Sequence, residues 1–322
     1  MIRLVAGRLA TGAALLVLLS LLVFVGVDLL PGDAANARLG ASATPARLAE
    51  TRQRLGLDRP VLVRYADWAG GLLRGDLGTS VSGTPVSAIL GGRVANSALL
   101  AGLTTILLVP ISLVVGMWAG LRPGSRRDRG VAVASLLFVA APEFVTAGLL
   151  VLVFAIGLGV LPAVSLIPPG AGPLDRPAAL VLPVLALLLL HASYAVRMIR
   201  ATIAATVRAP HVEFARLNGE PPRDVVRHAV LPAVLPVALQ VWLLTAAALV
   251  GGTVLVERVF GYPGIGEVLV TAVRTGDLPV AQALVMVLGA GVVVALLAAD
   301  VGVRLSTPTL RTAEQPAPVA FR

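Results

Sequence analysis

Long apolar runs separated by short polar segments dominate the chain. A bilayer core takes about 20 apolar residues as a helix, and six segments approach or exceed that length. They lie roughly at 9–30, 94–121, 131–158, 178–196, 233–256 and 280–303. The pattern therefore predicts an all-α polytopic membrane protein with six transmembrane helices.

The first apolar run also has features of a secretory signal peptide. Arg3 and Arg8 lie before or at its start, and Ala35-Asn36-Ala37 resembles a cleavage site. The run is roughly 22 residues long, whereas the apolar region of a signal peptide has about 7–15. We therefore expect a retained membrane anchor.

Composition supports a membrane protein and excludes several kinds of chemistry. Hydrophobic residues make up 57% and charged residues 13% of the chain, and there is no cysteine. All 26 basic residues are arginine. A phosphate-binding P-loop requires lysine, so the chain does not hold ATP in that way. The absence of cysteine excludes thiol nucleophiles and Cys-based metal sites. We expect no catalytic residues, no metal site and no cofactor bound by this chain.

The arginines indicate the orientation in the membrane. The N-terminal stub, the segments 122–130 and 197–232 and the C-terminal tail together hold fifteen, against three in the short segments 159–177 and 257–279. Positive charge in short loops marks the cytoplasmic side. Both termini are therefore expected in the cytoplasm. The same distribution argues against nucleic acid as a partner, because the charge follows topology and not a single groove.

The external segment 31–93 is too long for a simple connection. Thr44-Pro45 is a typical helix start, and a second helix is expected between Asp58 and Gly75. The apolar positions of the second helix recur at helical spacing: Val61, Tyr65, Trp68 and Leu72. We favour a helical cap packed on the outer membrane surface, and a docking surface for an extracellular partner is the alternative.

The cytoplasmic segment 197–232 is predicted to contain a helix of about nine residues between Pro210 and Gly219. Pro221-Pro222 then breaks the chain before a second short helix. A helix this short is marginal in water, so it must pack on this chain's own helix ends or on another protein. The charged residues around its small apolar face favour a partner.

This segment resembles a known motif. Glu213-x-Ala215, Gly219 and Leu231-Pro232 have the spacing of the EAA loop, which marks the permease subunits of binding-protein-dependent ABC importers. The chain more narrowly resembles the dipeptide/oligopeptide permease branch through the stretches 55–60, 71–80, 227–232 and 257–266. Phe214 departs from the motif, which has alanine there, and Ala229 stands where isoleucine is preferred.

The resemblance implies a type I ABC importer permease in the bacterial cytoplasmic membrane. We expect residues 1–30 to form the tail and first span, 31–93 an external helical segment, 94–311 the permease core with the EAA-type loop 197–232, and 312–322 a disordered tail. The implied function is half of an alternating-access pathway for di- or oligopeptides. The implied partners are a second related permease, one or two cytosolic ATPases that use ATP and Mg²⁺, and an extracytoplasmic binding protein.

The resemblance also implies site residues. The helix at 213–218 would be the coupling helix that sits in a groove of the ATPase. Ala215 would let it lie close to that surface, and Gly219 would supply a positive-φ turn. The ATPase-coupling residues are expected to be Glu213, Phe214, Ala215, Arg216 and Gly219.

Three polar residues in predicted spans are candidates for the translocation path. Glu143 lies in the third span, where a carboxylate is costly and by default functional. Its alternative is a carboxylate near a broken helix, satisfied by backbone amides or water. His191 and Tyr194 lie in the fourth span, where hydrogen bonding between helices is the expected role.

The external segment 257–279 carries an aromatic and glycine-rich stretch. Phe260, Tyr262, Pro263 and Gly264 are candidates for contact with the binding protein. The alternative is a short re-entrant helix that plugs the outer mouth of the pathway.

Other functions remain open at this point. The same mechanism could serve nickel or glutathione. An ATP-independent transporter often shows inverted repeats, and none is visible. An intramembrane enzyme needs a nucleophile and a base in register, and none is found.

Overall fold

The computed structural model of the chain describes residues 2–28, 44–54, 58–168 and 171–306. Its α-helices, in chain order, are α1 Ile2–Asp28, α2 Pro45–Arg54, α3 Val61–Leu73, α4 Val86–Gly120, α5 Arg126–Ala140, α6 Glu143–Leu150, α7 Pro177–Thr206, α8 Pro210–Leu217, α9 Pro222–Val225, α10 Leu231–Phe260, α11 Ile265–Thr275 and α12 Leu278–Ser306. A π-helical segment Val151–Gly157 continues α6, and another, Val226–Val230, joins α9 to α10. Among these residues there is no strand beyond one isolated bridge between Thr79 and Pro85. The predicted cleavage site at 35–37 and the predicted disordered tail 312–322 lie outside the described residues.

Five helices are long and apolar enough to cross a membrane, which confirms five of the six predicted spans. They are α1, α4, α7, α12 and the continuous stretch Pro222–Phe260 that ends with α10. Each extends beyond the predicted apolar core by several residues at one or both ends. The prediction of an all-α polytopic fold is therefore confirmed.

The third predicted span is not one straight helix. α5 and the helix that starts at Glu143 meet at an angle of 104°. Pro142 causes the break, because it has no backbone N–H and its ring clashes with a helix that precedes it. The backbone N–H of Ala141 still bonds to the carbonyl of Leu137, and Pro142 is the N-cap of the next helix, which begins at Glu143. The predicted third span over 131–158 is therefore a broken span, and counting the bent pair as one span gives the predicted six.

The described residues form two compact units. The described residues of the first unit lie within 1–99, 162–180 and 253–293, and those of the second lie within 100–161, 181–252 and 294–322.

In the first unit, α1 packs on α3 through aromatic side chains. Phe24 of α1 lies edge-on to Tyr65 at 5.4 Å between ring centroids and 5.6 Å from Trp68. The hydroxyls of Ser20 and Tyr65 are hydrogen-bonded at 2.8 Å. Tyr65 and Trp68 belong to the predicted apolar face of α3, so this part of the face packs on the chain's own first helix.

The core of the first unit lies where α4, α11 and α12 meet. Its buried members are Val86, Leu90, Ile265, Val268, Ala272, Val280, Ala281, Ala283 and Leu284. Burial of the apolar side of α11 explains why a helix of only 11 residues is stable.

In the second unit, small residues bring α4 against α7. A methyl group on Gly120 would lie 2.8 Å from the carbonyl oxygen of Arg200 and 2.9 Å from Cβ of Ile203. Only glycine permits this approach of the two backbones. The indole N–H of Trp242 in α10 donates to Ser112 Oγ of α4 at 2.8 Å, which ties a third helix to the pair.

Candidate functional site

α8 begins and ends where the sequence pattern predicts. Pro210 occupies its first turn, where a missing N–H costs no hydrogen bond. Gly219 adopts a φ of 78° after the helix ends. The N–H of Gly219 bonds to the carbonyl of Arg216 at 3.0 Å, and that of Glu220 to the carbonyl of Ala215 at 3.2 Å. This pair of bonds is a Schellman motif, and it requires the left-handed conformation that glycine adopts without strain.

One side of α8 is buried in the chain's own core. Val212 is fully buried and Ala215 is 7% exposed. They pack in a cluster of apolar residues contributed by α7, by α9 with the π-helical segment that follows it, and by α10: Ile199, Ile203, Val207, Val225, Val230, Val234 and Ala238. The expectation that this helix depends on a partner for its packing is therefore corrected, because its own chain supplies the apolar contacts.

Burial also corrects the expected role of Ala215. Its side chain faces α7 and α10, so its small size serves packing within this chain and not close approach to another protein. The same burial ties α8 to both neighbouring helices. Ile203 lies in the last turn of α7, Val207 directly follows this helix, and Val230 immediately precedes α10.

The opposite side of α8 is exposed and apolar at its centre. Phe214 is 66% exposed and Leu217 is 80% exposed. Residues three apart on a helix are neighbours, so the two side chains form one patch. Glu213 and Arg216 are also exposed beside it. Large exposed apolar side chains with charged neighbours are typical of protein interfaces.

An ion pair joins α5 to α7, and its arginine directly follows Ile199 of the apolar cluster that buries α8. The carboxylate of Asp128 accepts a hydrogen bond from Nε of Arg200. Its other oxygen accepts from the N–H of Gly124 at 2.9 Å, and Ser125 Oγ caps the helix by accepting from the N–H of Asp128 at 3.2 Å. Asp128 is buried although it is charged. The sequence analysis missed this pair, because its members are 72 residues apart.

The described contacts do not join the three candidates for the translocation path to one another. Glu143 opens α6 at the break after Pro142, and its Oε1 is buried with no hydrogen-bond partner. Nδ1 of His191 lies 2.9 Å from the carbonyl oxygen of Leu187 within α7. A methyl group on Gly252 would lie 3.6 Å from the His191 ring, an ordinary van der Waals distance, so α10 passes close to the imidazole here. Tyr194 is 43% exposed.

The aromatic residues of the external segment 257–279 are buried. Phe260 and Tyr262 have no exposed surface and Gly264 is also buried. The Tyr262 hydroxyl donates to the carbonyl of Asn96 at 2.8 Å, and Asn96 Nδ2 donates to the carbonyl of Pro263 at 2.9 Å. Burial, reinforced by the nearby Glu257 carboxylate, raises the pKa of Tyr262, so its hydroxyl keeps the proton that it donates.

These contacts correct the assignment of Phe260, Tyr262 and Gly264 as contacts of a binding protein. Their surfaces are covered by the chain itself, and they hold the segment against α4. The alternative of a short helix folded back into the protein fits α11 better, because its apolar side is buried in the core of the first unit.

Glu257 organises this segment, although sequence analysis did not single it out. Its carboxylate is fully buried and accepts from Ser97 Oγ at 2.6 Å and from the N–H of Gly266 at 2.7 Å. Ser97 Oγ in turn accepts from the N–H of Ile265 at 2.9 Å. The two side chains thus satisfy amides at the start of α11, where a helix leaves N–H groups free and favours negative charge. A side chain on Gly264 would collide with the carboxylate.

Comparison with known proteins agrees with this architecture. Residues 112–312 match the model of the binding-protein-dependent transport system inner membrane component, and residues 1–109 match its N-terminal companion. The chain belongs to this family. The resemblance noted from the EAA-type loop is therefore confirmed, and with it the assignment as a multi-pass inner membrane permease component and not an enzyme.

Similar relatives are named as permeases, and their alignments with this chain cover most of both proteins. A putative peptide permease protein of Brucella ovis is 32% identical over 321 residues, covering 97% of this chain and 99% of that protein. A putative peptide transport system permease protein of Brucella abortus is 32% identical over 313 residues, with the same shares. The oligopeptide transport system permease protein AppB of Bacillus subtilis is 30% identical over 288 residues, covering 88% of this chain and 91% of that protein.

Proposed function

We propose that this permease forms half of the translocation pathway of an ATP-driven importer for di- or oligopeptides. The observation that carries the proposal is α8. Its buried side joins it to α7 and α10, while Phe214 and Leu217 remain exposed on the other side. An element with this arrangement can receive a displacement from another protein and pass it to membrane helices. The names of the relatives support peptides as the transported class.

The chain has to obtain its energy from partners. It has no lysine for a P-loop, so ATP and Mg²⁺ are used by one or two cytosolic ATPase subunits. An ATPase pair offers two grooves and this chain has one EAA-type loop, so a second, related permease completes the pathway. An extracytoplasmic binding protein delivers the peptide.

Coupling works through packing. Phe214 and Leu217 enter the ATPase groove, and Glu213 and Arg216 add charge-assisted hydrogen bonds at its rim. When the ATPases close on ATP, α8 moves with them. Because Val212 and Ala215 are packed among residues of α7 and α10, these helices move as well. The result is a switch between inward-open and outward-open states.

Glu143, His191 and Tyr194 are proposed to face the translocation path. Glu143 is the most informative of the three, because a buried carboxylate oxygen without a partner is suited to bind the ammonium group of a peptide. Uptake by Glu143→Gln should then fall for peptides with a free amino terminus and change little for N-acetylated peptides. Equal effects on both classes would remove Glu143 from substrate binding.

The experiment that tests the coupling surface compares two phenylalanines. Phe214 is 66% exposed in α8, and Phe144 is 57% exposed in α6. We expect Phe214→Ala to reduce the amount of ATPase that co-purifies with the full-length chain and to reduce peptide uptake. Phe144→Ala removes the same side chain elsewhere and should retain the ATPase. Equal co-purification by both variants would refute α8 as the docking element.

A further inference from the structure

A groove of about 350 Å³ opens between α1, α3 and α12 in the first unit. Residues from all three helices line it, among them Leu16, Ser20, Tyr65, Ala69, Met286 and Ala290. The lining is almost entirely apolar. Its two hydroxyl groups, of Ser20 and Tyr65, are bonded to each other at 2.8 Å. The groove has no part in the coupling described above.

The walls of the groove are firmly packed. On one side α1 meets α12 closely, because a methyl group on Gly12 would lie 2.7 Å from Val293 and one on Gly289 would collide with Leu19. On the other side Phe24 of α1 packs edge-on against Tyr65 of α3. α1 is therefore packed against both α12 and α3, and the groove lies between these contacts.

The membrane restricts what can fill this space. α1 carries exposed apolar side chains along its length, including Leu15, Val17 and Leu22, as expected of a helix that faces hydrocarbon. Water is a poor occupant, because it needs two to four polar partners and the only hydroxyls are already paired. An empty groove forfeits the dispersion contacts of its lining. A hydrocarbon chain satisfies the lining.

Two arginines are next in sequence to lining residues of the groove, Arg64 before Tyr65 and Arg74 after Leu73. The guanidinium of Arg74 folds back along the helix, since a methyl group on Gly70 would lie 3.4 Å from its Nη2, next to Ala69 in the lining. Arg64 lies beside the aromatic wall, with its guanidinium carbon 5.9 Å from the centre of the Phe24 ring. Guanidinium groups bind phosphate through paired hydrogen bonds. An apolar groove with cations beside it complements a phosphodiester joined to an acyl chain.

We propose that the groove is a binding site for one phospholipid, with an acyl chain between α1, α3 and α12 and the phosphate near Arg74. An acyl chain gains little by leaving the surrounding bilayer, because both environments are apolar. The residence of the lipid therefore depends on shape and on the phosphate contact. Anionic phosphatidylglycerol should be preferred over phosphatidylcholine, because it carries a net negative charge.

Native mass spectrometry of the full-length chain, released from membranes containing both lipids, tests the proposal. The wild-type chain should retain one phosphatidylglycerol. Ala69→Phe places a ring in the groove and should lower that retained fraction about tenfold, which corresponds to about 1.4 kcal/mol. Leu22→Phe is the matched control, because Leu22 is 62% exposed on the same first helix and does not line the groove. It should retain the lipid.

The headgroup contact has its own pair of variants. Arg74→Gln should abolish the preference for phosphatidylglycerol. Arg59→Gln removes the same charge from a residue that is ion-paired with Asp67 at 2.7 Å, and it should keep the preference. If Ala69→Phe does not fold, Ala290→Phe is used in its place, because it blocks the same groove from α12.

Two results would overturn the proposal. One is equal lipid retention by the wild-type chain, Ala69→Phe and Ala290→Phe. The other is a photoactivatable residue at Leu73 that crosslinks to a protein partner and not to lipid, which would show that another subunit covers the groove.

Discussion

Replacing Glu257 by alanine should loosen α11 without removing any of its apolar contacts. The carboxylate accepts hydrogen bonds from Ser97 Oγ at 2.6 Å and from the N–H of Gly266 at 2.7 Å, in a fully buried position. The variant leaves the Gly266 amide at the start of the helix without its acceptor.

The size of the effect follows from these two bonds. A buried donor that loses its acceptor costs its desolvation free energy, about 1–3 kcal/mol. Two donors, Ser97 Oγ and the Gly266 N–H, lose their acceptor, so the free energy of opening α11 should fall by roughly 3 kcal/mol. Local opening of α11 should therefore become more frequent by a factor on the order of a hundred, since 1.4 kcal/mol corresponds to tenfold.

The chain contains no cysteine, so a single introduced cysteine reports this opening. Val268 lies in α11 and is 8% exposed, and Val268→Cys is a small change in the core of the first unit. Its rate of reaction with a membrane-impermeant maleimide measures how often the helix opens. In the Glu257→Ala background the rate should rise about a hundredfold.

Glu267 provides the matched control. It lies in α11, but its carboxylate is partly exposed and pairs with Arg93 and Arg258 at 3.4 Å. Exposed pairs contribute about 0–1 kcal/mol. Glu267→Gln should therefore change the labelling rate by a few-fold at most. If the two variants label at the same rate, the buried carboxylate does not hold the start of α11, and the reasoning fails.

Three further predictions concern the second unit. Gly120→Ala should prevent recovery of monodisperse protein, because the methyl group meets the α7 backbone, whereas Gly102→Ala in the same helix has nothing within 4 Å and should behave as wild type in size-exclusion chromatography. Gly219→Ala should lower the free energy of unfolding by about 1 kcal/mol, because a φ of 78° strains a residue with a Cβ. Gly219→Asn should lower it less, and thermal unfolding measures both. Asp128→Asn should lower the free energy of unfolding by about 3 kcal/mol, because Arg200 loses its charge partner. Adding Arg200→Met should recover part of the lost unfolding temperature.

The sequence predicts α8 well because its limits are local signals. Pro210 can start a helix and Gly219 can end one in whichever fold surrounds them. Which side of the helix is buried is not a local signal. Val212 and Ala215 are buried only because residues of α7 and α10 meet there, and one chain's periodicity does not reveal which apolar positions its own core covers.

The third span illustrates the same limit in the membrane. Apolar composition over 131–158 satisfies the length of a span, and Pro142 is visible within it. Proline is compatible with a mild kink or a complete break, and the tertiary packing decides between them. The structure has a bend of 104° at this position.

The Glu257 network could not be found from the sequence. Ser97 lies 160 residues away, and nothing local distinguishes Glu257 from an exposed residue at the end of a membrane helix. The sequence also does not show whether the aromatic residues Phe260 and Tyr262 contact a partner or their own chain. A stretch rich in aromatics and glycine is typical of both a binding loop and a tightly packed turn.

The most direct test of the central claim is site-specific photo-crosslinking in the intact membrane complex. A photoactivatable phenylalanine at Leu217, which is 80% exposed in α8, should crosslink to an ATPase subunit, identified by mass spectrometry from its P-loop peptide. The same residue at Leu136, which is 53% exposed in α5, should not. Crosslinks to the ATPase from Leu136, or none from Leu217, would contradict the account that α8 delivers the energy for transport.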